Sequence, residues 1–599
     1  MDEIRALRAQ VDELIGRLTA DEEALAPLLR PVHPSYRQSA RNLVHYVALR
    51  QHDLRKLQLG LWRQGLSSLG RVEGHVLDAL EHVRARLDDM LRVPPGEGRH
   101  VAEMVAGPSW DEAEHLLHAH TRALLGPRPA HRHVSIMVTA PSAAEVDAAW
   151  VERILEAGTN VLRINGAHED ALAWTRIAQT ARSVAERLGH PLRIVVDLPG
   201  PKLRTVALAE GPRVVRFRPT RDALGRTTEP CVITLHAGPA RTGASALSIP
   251  AHALDAMEVG DLLTLRDARG KKRELAITAR ARGSATATLG DTTYVTPETD
   301  LTLRRGETVV MRFAPADVPA RPHRIALARG DRFALVRPGA SPPVGMPAIG
   351  CTLDAALACL AEGQRVLFDD GHLETEAETV TPTHAVLRVT YTTEGGIELG
   401  GEKGVNLPDT EIDLPLLGDD DERALAFAAE HADAVGASFV RSEADVKALH
   451  ARLAELDAGR LGVIWKIETG HAFERLPAIL LAALARPPVG VMIARGDLAI
   501  EAGYERLAEL QEEILWLAEA AHVPVVWATQ VLDLHARTGR PTRAEVTDAA
   551  MSVRAECVML NKGPFVAEAV TALDDILRRM EQHQYKKRSL YRRLHLKLP

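Results

Sequence analysis

The sequence predicts an α/β fold: a (β/α)8, or TIM, barrel that carries an inserted β-rich lid domain and follows an N-terminal all-α module. Short apolar, β-rich segments alternate with helical patterns from about residue 133 onward, and eight of them occur. The third and fourth are separated by a stretch far too long for a βα loop, and that stretch lacks helical periodicity. Charged residues complete the picture. Ile464-Trp465-Lys466-Ile467-Glu468 and Val491-Met492-Ile493-Ala494-Arg495-Gly496-Asp497 each deliver ionic groups where an apolar strand stops, the end at which a parallel barrel keeps its chemistry.

Residues 1–130 read as helical. Ile4, Leu7, Val11, Leu14 and Leu18 recur at steps of three and four, and Val76, Leu80, Val83 and Leu87 do the same. The basic stretch Leu54 to Arg71 between them reads as a helical hairpin packed on the barrel or on a partner subunit, in preference to a DNA-reading helix-turn-helix. Gly126-Pro127-Arg128-Pro129 ends the module. The first part of the barrel, 131–205, holds strands expected at Val134–Val138, Val161–Ile164 and Leu192–Val196. A helix is expected over Ser142–Glu156, capped by its serine and closed by Gly158. The insertion, 206–405, is rich in Val, Thr, Gly and Arg. Within it Gly260-Asp261-Leu262-Leu263-Thr264-Leu265-Arg266-Asp267 is paralleled by Gly363-Gln364-Arg365-Val366-Leu367-Phe368-Asp369-Asp370, which predicts an internal duplication. The barrel resumes over 406–582, with strands at Ala434–Phe439, Val463–Ile467, Gly490–Ile493, Val523–Trp527 and Cys557–Leu560 and a closing helix Val566–Met580. A basic tail, 583–599, follows.

Of the 599 residues 46% are hydrophobic, ample for conventional cores, and the net charge of -7 gives no global attraction for nucleic acid or anionic membrane. The N-terminus has no apolar signal core, and nowhere do about 18 apolar residues run unbroken, so a cytoplasmic protein is expected. Four scattered cysteines are too few for a disulfide framework or a zinc site.

Lys466 and Glu468, two apart in a period-two element, share one side of their strand. Asp497 from the next strand end joins them. One lysine and two carboxylates suit a divalent metal and a phosphate, so phosphoryl transfer is the first expectation. Glu468 and Asp497 offer hard oxygens suited to Mg²⁺ (or Mn²⁺), which takes few protein carboxylates. Gly496 and Asp497 lie where a loop enters a helix, a place that favours an anion, and Thr529 at the following strand end adds a hydroxyl. No P-loop occurs.

Seven segments stand in order. Asn160-Val161-Leu162-Arg163-Ile164-Asn165 and Asp197-Leu198-Pro199-Gly200-Pro201-Lys202-Leu203-Arg204 come first, then Lys403-Gly404-Val405-Asn406-Leu407-Pro408 and Lys466-Ile467-Glu468. Ala494-Arg495-Gly496-Asp497-Leu498, Ala528-Thr529-Gln530 and Arg540-Pro541-Thr542-Arg543-Ala544-Glu545 complete the set, which resembles the signature segments of the pyruvate kinase family. The resemblance implies a (β/α)8 barrel, a glycolytic transfer from phosphoenolpyruvate to ADP, and a homo-oligomer through barrel helices. It implies that Lys466 stabilises the transition state and that Arg163 meets the substrate phosphate, with Ser438 and Arg441 near it. Gly496, Asp497 and Thr529 would take the substrate carboxylate, and a water near Thr529 would protonate the enolate. Asn165, His168, Arg204 and Lys403 match nucleotide contacts, Lys403 from the return hinge of the lid. Two alternatives stand beside this reading: another enol phosphate or nucleotide, and a non-catalytic scaffold built on the fold.

The sequence departs from the family pattern in places. Ala499 replaces a glycine, and Asn561-Lys562-Gly563-Pro564 stands where most members carry Ser-Gly-Glu-Thr-Ala, with Lys562 offering a compensating charge. The domain that carries sugar-phosphate regulation in many members finds no room after the eighth strand, so that control is not expected. Ala167 and Leu198 occupy positions where potassium-dependent members use serine and threonine, and Lys202 stands where those members have glutamate. A tethered ammonium group near Asp197 would replace the monovalent cation, so K⁺ is expected to be unnecessary.

Overall fold

The computed structural model describes residues 2–91, 107–206, 208, 210–239, 245–352, 354–410, 414–586 and 588–589 of the chain. Lys587, Arg592, Arg593 and Lys597 of the basic tail lie outside the described residues. The chain divides into two compact units, one of Met1–Leu203, Gln364–Gly371 and Val405–Pro599, the other of Arg204–Gly363 and His372–Gly404.

In the first unit eight strands close into a parallel barrel: β1 (Ser135–Thr139), β2 (Val161–Asn165), β3 (Arg193–Asp197), β4 (Ala434–Ala437), β5 (Gly462–Ile467), β6 (Val489–Ala494), β7 (Val525–Ala528) and β8 (Cys557–Leu560). Each pairs with its neighbours in order, and β8 returns to β1 with Ile136 opposite Val558. Helices cover the outside and side chains fill the inside, so the strands read as continuous apolar runs. β4, β6, β7 and β8 are buried throughout, and in β5 only Lys466 is partly exposed. These strands fall on the eight expected segments with ends shifted by a residue or two. The first barrel helix differs more. It runs Ala148–Ala157, because the amide of Trp150 is accepted by Asp147 (2.7 Å), whereas Ser142 turns its hydroxyl to Glu145 (2.5 Å). Gly158 closes it in the left-handed conformation, φ 118°.

The N-terminal helices Asp2–Ala24, Arg37–Arg50, Arg55–Arg63 and Val76–Leu91 bury the periodic Leu7, Val11, Leu14, Leu18, Val76, Leu80, Val83 and Leu87 in a core continuous with that of the barrel. Polar groups fix the docking. Buried Asn42 donates to the carbonyls of Glu73 (2.6 Å) and Ala520 (2.8 Å) and accepts from the amide of Val76 (2.9 Å). His522 lies between Ser39 (3.0 Å) and the carbonyl of Gly74 (2.9 Å), and burial pulls its imidazole down to about 4, so it sits there neutral.

A further helix, Trp110–Leu125, begins with a Ser109–Glu112 capping box and ends in Leu124 and Leu125, which pack with Met137, Val161, Ile464 and Met492 inside the barrel. A Cβ at Gly462 or Gly490 would approach Leu124 methyls to 2.6 and 2.4 Å. The two strands therefore need glycine for the leucine to enter. The N-terminal module is built into the barrel floor.

In the second unit Cys231–His236 runs parallel to Ala246–Ser248, a short helix Ala251–Asp255 follows, and Leu262–Arg266, Lys272–Ala281 and Ser284–Leu289 lead antiparallel back to Cys231–His236. A similar order recurs later. Arg332–Val336 runs parallel to Ala348–Gly350, the helix Asp354–Cys359 follows, and the hairpin Leu373–Val380/His384–Thr392 returns to Arg332–Val336. The first lobe has its own core around Ile233, Leu263, Leu275 and Ala287. All four cysteines are free. No helix among the described residues is long and apolar enough to cross a membrane.

Candidate active site

The C-terminal ends of the barrel strands bring most of the expected residues together. Arg163 on β2 reaches Asp197 at the end of β3, with Nε and Nη2 2.8 and 2.7 Å from one carboxylate oxygen, and donates through Nη1 to Thr139 at the end of β1 (3.1 Å). Lys466 on β5 sends its amine to Ser438 Oγ (2.8 Å), Glu468 (3.0 Å) and Asp197 (3.4 Å). Ser438 in turn donates to the carbonyl of Leu198 (2.7 Å), which fixes the hydroxyl that receives the lysine. Two cations and two carboxylates thus alternate across the ends of three strands, β2, β3 and β5.

Burial decides what such a set does. Asp197 is 1% and Glu468 2% exposed, so neither carboxylate is held by water. Burial would raise Asp197, but Arg163 and then Lys466 outweigh it and hold the carboxyl below the usual range. Burial likewise opposes the Lys466 charge, and Glu468 and Asp197 outweigh it, so the amine stays protonated with its pKa raised. Glu468 is pushed up by burial and further by Asp497, although Lys466 and the amide of Phe439 (2.5 Å) pull the other way. Asp197 keeps its other carboxylate oxygen, Oδ1, buried without a hydrogen bond, facing Gly436, where a Cβ would lie 2.1 Å away.

Asp497 and Gly496 lie in the first turn of the helix Arg495–Ala502 that follows β6. The Gly496 amide donates to Thr529 Oγ1 at 3.1 Å, which places the threonine hydroxyl beside the helix start. Arg495 holds this corner: it pairs with Asp548, donates to the carbonyls of Ala528 (2.9 Å) and Thr529, and stacks 4.9 Å from the Trp527 ring. Its position inside a signature segment was legible, but its partner Asp548 was not. One turn on, Glu501 accepts from Asn406 (2.7 Å) and is raised to about 7, by burial first and then by Asp497.

Lys202 departs from expectation in its partner. Its amine meets Asp497 (3.2 Å) and lies 5.9 Å from the Phe439 ring, whereas the cations on Asp197 are Arg163 and Lys466. The turn at Gly200 (φ 70°), closed by the Lys202 amide on the Gly200 carbonyl (2.7 Å), carries the chain away from the end of β3. Arg441 also turns elsewhere, to Asp445 (3.2 Å) on the next helix and the carbonyl of Leu414.

Asn165 and His168 line a cavity of about 510 Å³ beside Arg163, bounded by the ends of β1, β2 and β8 and the helix Asp533–Thr538. Arg204 and Lys403 belong to the second unit, where the Lys403 amide donates to Thr205 Oγ1 (2.9 Å) and Arg204 reaches the Glu402 carbonyl (3.4 Å).

Among the described residues no group of three or more His, Cys, Asp or Glu forms a metal cage. Glu468 and Asp497 nonetheless fit Mg²⁺: each is a hard oxygen donor, Asp497 raises the cost of charge on both Glu468 and Glu501, and a divalent cation relieves that mutual repulsion while keeping waters or substrate oxygens as its other ligands.

A family model described as the pyruvate kinase barrel domain matches residues 131–230 and 346–570, more than half of the chain. Human pyruvate kinase PKLR is 39% identical over 230 residues, 37% of this chain and 38% of that protein. The pyruvate kinase of Methanocaldococcus jannaschii is 34% identical over 235 residues, 37% of this chain and 49% of its own. The matched part therefore spans less than half the length of these relatives. The solved structure of a pyruvate kinase from Cryptosporidium parvum shares the fold, with a TM-score of 0.51 at 21% identity over 77% of this chain and 72% of that one. Barrel, strand-end charges and matched segments agree: the chain belongs to the pyruvate kinase family.

Proposed function

We propose that the chain transfers the phosphoryl group of phosphoenolpyruvate to ADP, giving pyruvate and ATP. The observation that carries this reading is the Lys466 amine, held 3.0 Å from Glu468 and 3.4 Å from Asp197 where β5 ends. A buried, fully charged ammonium in a fixed position acts on charge that redistributes in transfer, at no cost in reorganisation. Arg163 takes the substrate phosphate and Ser438 keeps Lys466 aimed at it. Gly496, Asp497 and Thr529 receive the carboxylate end, with the hydroxyl of Thr529 positioned by the Gly496 amide. Glu468 and Asp497 would hold Mg²⁺ or Mn²⁺, which supplies charge neutralisation on the transferring group. Asn165, His168, Arg204 and Lys403 keep the nucleotide assignment that the family resemblance implies. A scaffold has no use for such a charge set, which is costly to desolvate.

Pyruvate formation from phosphoenolpyruvate and ADP with Mg²⁺, followed by coupled lactate dehydrogenase, tests the reading. Turnover supports it, and its absence in folded protein removes it. The same assay addresses the monovalent cation. Lys202 places one positive charge against Asp497, so we propose that no K⁺ is recruited there. The rate without Na⁺ and K⁺ is expected to approach that at saturating K⁺. Lys202→Glu, which would set a second carboxylate against Asp497, is expected to lower the rate and make it respond to added K⁺. A wild-type enzyme that needs K⁺ for most of its rate contradicts the substitution.

A further inference from the structure

Glu501 is a buried acid that the proposed chemistry leaves unused. It lies one turn beyond Asp497 in the helix Arg495–Ala502, and residues four apart in a helix share a face. Its carboxylate accepts from Asn406 Nδ2 at 2.7 Å. Burying an acid close to a second carboxylate is costly, and one hydrogen bond does not repay it, so stability does not explain the residue. Its place beside the candidate metal site does.

Asn406 stands on a braced pair of strands. Arg365–Phe368 and Val405–Asn406 run antiparallel with Leu367 opposite Asn406, and the Arg365 guanidinium makes two parallel bonds to the Asp409 carboxylate, at 2.9 and 2.6 Å. Asn406 is buried, and its Oδ1 has no hydrogen bond among the described residues, so the contact with Glu501 is what orients its amide. The other end of the helix is held by Arg495, which pairs with Asp548 (2.8 Å) and donates to the Ala528 carbonyl (2.9 Å). Anchors at both ends of a two-turn helix set its rotation about its own axis, and with it the direction in which Asp497 points. Lys202 also meets Asp497 (3.2 Å), but a flexible lysine stem follows a carboxylate and does not aim it.

We propose that Glu501 is a positioning residue of the metal site: through Asn406 it fixes the rotation of the helix and keeps Asp497 directed to the place it shares with Glu468. The proposal rests on the assignment of Glu468 and Asp497 to a divalent metal.

The test is Mn²⁺ binding, measured by electron paramagnetic resonance on the full-length wild type, Glu501→Ala, Glu501→Gln, Asn406→Ala and the double variant Glu501→Ala/Asn406→Ala, with melting temperatures and pyruvate formation alongside. Loss of a side chain that orients a ligand is expected to weaken Mn²⁺ binding roughly 10-fold in Glu501→Ala and similarly in Asn406→Ala. The double variant should be no weaker than the weaker single variant, because both remove the same link. Glu501→Gln keeps an acceptor for Asn406 and should restore most of the affinity. A lower melting temperature with unchanged Mn²⁺ affinity in Glu501→Ala shows a purely structural role and overturns the proposal, as do losses that add in the double variant or a glutamine variant no better than alanine. Wild-type protein that binds Mn²⁺ with this dependence but makes no pyruvate removes the reading of the reaction and leaves the proposal standing. Wild-type protein that binds no Mn²⁺ overturns both the ligand assignment and the proposal.

Discussion

Replacing Lys466 by methionine is expected to cut pyruvate formation at least about 100-fold, the scale seen when a preorganised stabiliser of developing charge is removed. The amine joins Ser438, Glu468 and Asp197 within 3.4 Å, so no neighbouring side chain can take its place without repacking. Asp197 retains Arg163, but Glu468 is left with the Phe439 amide alone, in a setting where burial and Asp497 already oppose its charge. Removing one partner of a buried pair typically costs about 3 kcal/mol or more, so the melting temperature should fall while far-UV circular dichroism shows the barrel intact. Steady-state kinetics on the folded variant decide the matter. Near-normal turnover would sink the assignment of Lys466.

The second large effect is expected at the carboxylates. Glu468→Gln and Asp497→Asn each remove one hard oxygen charge from the place where the two repel one another. Changing even an outer partner of a metal ligand commonly weakens metal affinity about 10- to 100-fold, so loss of a ligand charge should raise the Mg²⁺ needed for half-maximal activity by roughly 10-fold or more. Mn²⁺ binding measured by electron paramagnetic resonance supplies a readout free of turnover. The two variants should differ in one respect. Asp497→Asn also takes away the partner of Lys202, 3.2 Å distant, whereas Glu468→Gln leaves that pair in place. If the metal dependence of both variants equals that of the wild type, the ligand assignment is wrong.

The barrel was legible because its strands are buried on both faces. A short apolar run bounded by turn residues is a strong signal when it recurs at successive helix-sized intervals, and every strand from β1 to β8 carries it. The helix Val566–Met580 was equally clear from its periodicity. The start of the helix after β1 was not, since Ser142 and Asp147 are both good caps and only the course of the chain between them selects Asp147. At the site, Lys466, Glu468, Asp497, Gly496 and Thr529 could be named from their places at strand ends, and Arg163 and Ser438 from the family resemblance. Their mutual partners could not.

The sequence by itself determined which residues reach the open end of the barrel, because period-two alternation fixes the side of a strand and turn chemistry fixes where the strand stops. It also determined that Lys466 and Glu468 share one side of their strand, which needs only two residues of one strand, whereas their contact at 3.0 Å emerged only in the structure. Tertiary structure alone decided the rest. It set Lys202 on Asp497, turned Arg441 to Asp445, brought Asp548 under Arg495, and sent Leu124 into the barrel against Gly462 and Gly490. Each of these contacts except that of Arg441 joins segments dozens to hundreds of residues apart, and the Arg441 contact depends on how its loop turns into the next helix. Charge and hydropathy along a chain report what a side chain seeks; which partner it finds is fixed only when packing has chosen one arrangement of the loops.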